Sequence, residues 1–87
     1  MAVTPASAWS MHYDDERDVL YASLGKPQPA ITDEVEDDIG LRYCPPRPEI
    51  VGVTIANFRR HFPHEKPLDV VMSLLHRYPQ VPWPADP

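Results

Sequence analysis

The chain has 87 residues and a formal net charge of −5, enough for one domain that buries only about 60–65% of its unfolded surface. Cys44 is the only cysteine, which excludes an internal disulfide and a thiolate metal cage and suits a reducing compartment. Nine of the acids fall within residues 14 to 38 against Arg17 and Lys26, a bias that disfavours nucleic acid there and favours either a solvated face or a basic protein partner.

The start, MAVTPASAWSMH, has neither the basic end nor the apolar run of a signal peptide. No stretch is long enough to cross a bilayer, so a cytoplasmic protein with no membrane association is expected. WSMHY, residues 9 to 13, alternates Trp9, Met11 and Tyr13 against Ser10 and His12, the mark of a strand with one buried face. DDER follows, then DVLYASL, whose two faces are both fairly apolar and fit an inner strand. Strand, short polar cluster, strand predicts a hairpin, with Asp14 and Asp18 as turn residues whose side chains bond nearby backbone amides.

GKPQP, residues 25 to 29, breaks the pattern. AITDEVED then sets Ile31 and Val35 inward against Thr32, Glu34 and Glu36, acids that suit a guarded edge strand. IGLRYC places Ile39, Leu41 and Tyr43 inside and Arg42 outside. PPRP, residues 45 to 48, must leave the sheet and turn. EIVGVTIANF resumes a strand with Val51, Val53 and Ile55 on one face. Gly52 in its middle points to a bulge or a close approach.

RRHFPHEKP is a polar connector. PLDVVMSLLHRY predicts a helix over 67–78, with Pro67 in the first turn, Asp69 near the positive end of the dipole and His76 and Arg77 in the last turn. Asp69, Ser73, His76 and Arg77 form one polar stripe, and apolar residues fill the rest. That arc exceeds the roughly 100° needed to pack on one sheet face. It implies burial on a second side, against another subunit. Val70, Val71, Leu74 and Leu75 are expected to divide between core and subunit contact, with Trp83 of the extended tail PQVPWPADP closing over the same surface.

YDDERDVLYASL at 13 to 24, AITDEVEDDI at 30 to 39 and EIVGVTIANF at 49 to 58 together resemble the DUF2283 family, small proteins of unknown function. The carriers are Asp14, Asp18, Leu20 and Tyr21, then Thr32, Asp33, Glu34 and Glu36, then Ile50, Val51, Gly52, Val53 and Ile55. The likeness covers about residues 10 to 60. It implies an antiparallel sheet followed by a helix, and its members look like antitoxin-like companions of small toxins. CPPRPE stands where the family has an aspartate-glycine loop, and Asn57 is followed by Phe58 and two arginines rather than by Ala-Ser.

Chemistry is thin. A calcium loop on Asp14, Glu16 and Asp18 fails, because its glycine position holds Val19 and its glutamate position Gly25. His61 and His64 are split by Pro63, which breaks the helix that would let them share a metal. Cys44 precedes prolines rather than a helix N-terminus that would activate it. Arg59 and Arg60 beside Phe58 could touch RNA, but the overall acidity favours pairing with acids of a neighbouring subunit. PxxP at Pro45 to Pro48 and Pro79 to Pro82 reads as chance spacing rather than a docking segment.

The expectation is an α+β fold: an antiparallel meander of four to five strands over about 9–57, a connector at 58–66, one C-terminal helix packed on the sheet at 67–78, and a proline-rich tail at 79–87, all in one domain. No catalytic, cofactor-binding or metal residues are expected. The function is that of a non-enzymatic, homo-oligomerising interaction module. An antitoxin-like partner of a small basic protein comes second, and an enzyme of unknown type third.

Overall fold

Two hairpins and a fifth strand make one antiparallel sheet. A computed structural model describes residues 8–26 and 29–81. Strand β1 spans Trp9–Asp14, β2 Val19–Leu24, β3 Ile31–Glu36, β4 Ile39–Tyr43 and β5 Ile50–Ala56, followed by helices α1, Phe58–His61, and α2, Pro67–Arg77. The sheet order is β1-β2-β5-β4-β3. The α+β class with an antiparallel sheet and a C-terminal helix is as expected from the sequence. Its connectivity places β5 in the centre, flanked by the β1–β2 hairpin on one side and the β3–β4 hairpin on the other. The strand read as inner, β2, lies between β1 and β5, and the acid-rich strand, β3, is an edge.

Strand alternation decides what is buried. Leu20 and Ala22 of β2, Val53 and Ile55 of β5, and Ile39, Leu41 and Tyr43 of β4 lie on one face, matched across the sheet by register and all buried. Helices α1 and α2 close that face: Phe58 of α1 and Val70, Val71 and Leu74 of α2 join the same core. At roughly 25 cal/mol per Å² of apolar surface removed from water, this cluster is the main source of stability. After α2, the Val81 N–H donates to the Pro48 carbonyl oxygen at 3.0 Å and Val81 is buried, which straps the chain back onto the β4–β5 connection.

Two bulges shift the alternation. In β5, Arg42 faces Gly52 but Tyr43 faces Ile50, so Val51 is the extra residue. Ile50 therefore enters the core and Val51 is half-buried, which corrects the reading that grouped Val51 with Val53 and Ile55. In β3, Glu34 pairs with Gly40 and Glu36 with Ile39, leaving Val35 as the extra residue. Val35 packs against the core as expected, but Glu36 turns toward α2, where its carboxylate accepts from the Tyr78 hydroxyl at 2.6 Å and meets Arg77 at 3.1 Å. Ile31, expected inside, is 48% exposed at the edge.

Two element bounds also change. The connector at 58–66 contains the single turn of α1, and α2 ends at Arg77, with Tyr78 as its C-cap. Of the helix residues expected to divide between core and subunit contact, Val70, Val71 and Leu74 sit in the chain's own core and Leu75 is half-buried against it. Trp83 lies outside the described residues.

Candidate functional site

The acids of the two hairpin turns converge on α1. Residue Asp14 accepts from the Glu16 and Arg17 N–H groups through Oδ1, at 3.1 and 3.2 Å. That is the local turn role expected of it. Asp18 has a different and non-local task. Its φ is 56°, a left-handed conformation that aspartate tolerates better than most residues. From there its carbonyl oxygen accepts the Phe58 N–H at 3.0 Å, and its Oδ1 accepts the Arg59 N–H at 2.9 Å and the Tyr13 hydroxyl at 2.6 Å.

Asp38 mirrors it in the other hairpin. It has φ 67°, its carbonyl oxygen accepts the Ala56 N–H at 2.8 Å, and its Oδ2 accepts from Asn57 Nδ2 at 3.1 Å and meets His61 Nε2 at 2.9 Å. Asn57 itself is left-handed, with φ 53°. Asp18 thus satisfies the first amides of α1, Asp38 holds the end of β5 and the Asn57 and His61 side chains, and the two together fix the chain where it leaves β5.

These bonds set the local electrostatics. The Tyr13 hydroxyl, followed by the Arg59 amide, holds the Asp18 carboxyl below the ordinary aspartate value, and the same contact pushes the Tyr13 hydroxyl up. His61, followed by Asn57, holds Asp38 down. Glu36 pushes the Tyr78 hydroxyl up. The Arg59 guanidinium lies 4.9 Å from the Tyr13 ring centroid, and Tyr13 meets Phe58 edge-on. These interactions are internal to the fold and clasp both hairpin turns to α1.

Two surface depressions among the described residues are small. One of about 150 Å³ lies between Phe62 and the Asp69, Val70 and Ser73 side of α2, and one of about 160 Å³ lies beside Cys44, Arg47 and Glu49. Both are below the roughly 300 Å³ at which small-molecule pockets begin. Among the described residues no group of three His, Cys, Asp or Glu side chains is arranged to hold a metal ion. His61 is taken up by Asp38, and His64 is exposed.

The remaining feature is the sheet's second face. It carries Ser10 and His12 of β1, Val19, Tyr21 and Ser23 of β2, Gly52, Thr54 and Ala56 of β5, Gly40 and Arg42 of β4, and Thr32 and Glu34 of β3. No described helix or strand covers it. His12 and Tyr21 stack across β1 and β2, with ring centroids 6.2 Å apart, and Tyr21 is 39% exposed. Gly40 and Gly52 leave the middle low. A Cβ at Gly52 would stand 3.0 Å from Arg42 Cδ, because the arginine stem lies along that glycine. Arg42 is half-buried by this packing. Its guanidinium makes no hydrogen bond or ion pair among the described residues.

A family model described as a protein of unknown function, DUF2283, matches residues 10–59. The chain belongs to the DUF2283 family. The matched stretch takes in all five strands and the first residues of α1, and stops before α2. It therefore contains the open face and the aspartate clasp apart from His61. Neither a curated protein nor a solved structure matches the chain. No helix among the described residues is long and apolar enough to cross a membrane.

Sequence reasoning located the turn acids but not their target. The signal was present: an aspartate at the last position of each hairpin loop, in DDERD and EVEDD. The residues they grip lie 41 and 23 positions away, a separation that no local pattern encodes. Arg42 was read as an outward residue, and the uncovered face now gives that orientation a context.

Proposed function

We propose that the chain is a non-enzymatic protein-interaction module that associates with copies of itself. The observation that supports this reading is the one-sided packing of the sheet. Both helices lie on the Leu41 face, while the Tyr21 face carries an aromatic pair, two glycines and an arginine that is unpaired among the described residues, with no described element over it. Aromatic and arginine side chains are enriched where proteins contact one another. The short chain without a disulfide adds the thermodynamic motive: small cores leave little margin, and association supplements them.

The acidic half speaks less for a basic protein partner than its charge alone does. Asp14, Asp18, Glu34, Glu36 and Asp38 all accept hydrogen bonds inside the fold. A non-enzymatic role fits a structure whose perturbed carboxylates are all held low by internal donors.

Sedimentation equilibrium across the micromolar range tests the reading. A mass rising with concentration to at least twice the 9.9 kDa of one chain is expected. A monomer at every concentration would remove it.

A further inference from the structure

We infer that the second copy seats on the open sheet face, with Arg42 of each chain over Glu34 of the other about a twofold axis. This rests on the self-association reading and names its surface. The first argument is charge. Arg42 is a half-buried cation without an ion pair among the described residues, in a chain of net charge −5. Glu34, exposed on the same face, accepts only the Asp38 N–H, through Oε2. Both a cation and an anion thus stand on one surface, the condition for an isologous contact in which each residue meets its complement on the partner. They are neighbours on adjacent strands, because Thr32 faces Arg42 and Glu34 faces Gly40.

The second argument is shape, and it follows from register alone. The rows across this face run Thr32, Arg42, Gly52, Ser23, Ser10; then Glu34, Gly40, Thr54, Tyr21, His12; then Ala56, Val19, Asp14. Residues rise about 3.3 Å along a strand and strands lie about 4.8 Å apart. On that grid, the line that exchanges Arg42 with Glu34 passes within about 2 Å of Thr32, Gly40, Thr54, Val19 and Asp14. Small side chains therefore meet their own copies along the axis. The same operation sets Tyr21, the largest exposed side chain of the face, over Ala56 of the other chain. Bulk falls on a small residue, and Arg42 falls on opposite charge.

Strands of the two copies then cross at about 70°, near the orthogonal class of sheet packing. Asp14 faces its own copy near the line of exchange, and its carboxylate is already turned into its own hairpin by the Glu16 and Arg17 amides. The face measures about 20 by 24 Å on the same grid. Its footprint is about half the roughly 800 Å² per partner of a standard interface. The dimer is accordingly concentration-dependent.

Charge exchange decides it. Sedimentation equilibrium is run on the full chain, Arg42→Glu, Glu34→Arg and the double variant, with circular dichroism melts showing each to be folded. Each single reversal is expected to weaken dimerisation by about tenfold or more, since like charges are then opposed, and the double variant to recover most of it. Tyr21→Arg, which cannot be accommodated on Ala56 of the partner, is expected to weaken it similarly and provides an arm independent of the Glu34 turn bond. If the wild type dimerises and all variants match it, the interface lies elsewhere: this inference falls while self-association stands. A wild-type monomer throughout removes both.

Discussion

The two faces of one sheet differ in almost every physical respect, although the same five strands build them. On the closed face, Leu20, Leu41, Val53, Ile55, Phe58, Val71 and Leu74 are fully buried. On the open face the corresponding positions are Tyr21, Gly40, Gly52, Thr54 and Arg42. The difference shows how labour is divided in a small domain. One face supplies nearly all the apolar burial. The other is left small and polar.

The largest effect should come from the closed face. Phe58 is 2% exposed and lies where β5, α1, Tyr13 and Phe62 meet. Phe58→Ala should cost about 3–5 kcal/mol, and Leu74→Ala about 2–5, through lost transfer energy and a cavity that close-packed strands cannot collapse. Urea unfolding followed by circular dichroism measures both. A loss below 1 kcal/mol at Phe58 would mean that α1 is not anchored as described.

Next is the boundary between the faces, at the glycines. Substitution of Gly52 by alanine brings Cβ to 3.0 Å from Arg42 Cδ and 3.2 Å from the Ala22 carbonyl oxygen. The backbone oxygen cannot give, so a cost of about 1–2 kcal/mol is expected, of the order of overpacking in a core. At Gly40 the near atom is Thr32 Cγ2, at 2.7 Å, on an exposed edge residue free to rotate. Gly40→Ala should therefore cost less than Gly52→Ala, and the order of the two urea midpoints is the measurement.

The clasp that joins the faces at one end adds a pH signature. Asp18 and Asp38 are held below their ordinary value of 3.8. In the acid range the unfolded chain therefore binds more protons than the native one, so stability rises with pH. Their contribution is present above pH 3.8 and is lost as pH falls through the lower native values. Tyr13 and Tyr78 are shifted upward from 10.0, which gives the opposite sign: their contribution is full below 10.0 and lost as pH rises beyond it. Thermal melts should show a plateau between the two windows. Asp18→Asn together with Asp38→Asn should flatten the acid limb and reduce the alkaline one to the part that Tyr78 carries, because Asp18 is what raises the Tyr13 hydroxyl.

Much of the closed face was legible from residue order. The alternation of Trp9, Met11 and Tyr13 and of Ile39, Leu41 and Tyr43, and the helical spacing of Val70, Val71 and Leu74, each follow from the period of one element. The bulges were not legible. An extra residue at Val35 or Val51 reverses the inward phase without altering composition, so Ile50 and Glu36 were placed on the wrong side. Helix α1 escaped because four residues carry no period, and its cap comes from Asp18. The insertion of β5 between β2 and β4 is a property of pairing partners, which alternation does not name. The open face was visible only as apolar residues on both sides of β2.

The smallest stability effect, and the sharpest test of the comparison, belongs to Tyr21. It is 39% exposed and touches only His12 among aromatic rings. Exchange for serine removes a stacked pair that water already reaches on one side, so unfolding free energy of the isolated chain should change by about 0.5 kcal/mol or less. Measured at a concentration where the wild type is monomeric, Tyr21→Ser should thus be nearly silent. Measured where it is associated, the same exchange should lower the melting temperature, because the wild type alone gains from mass action. A residue of the closed face would show its loss at both concentrations. Equal, large losses at both would place Tyr21 in the core economy of its own chain and erase the distinction between the faces; silence at both would leave the open face without a partner copy.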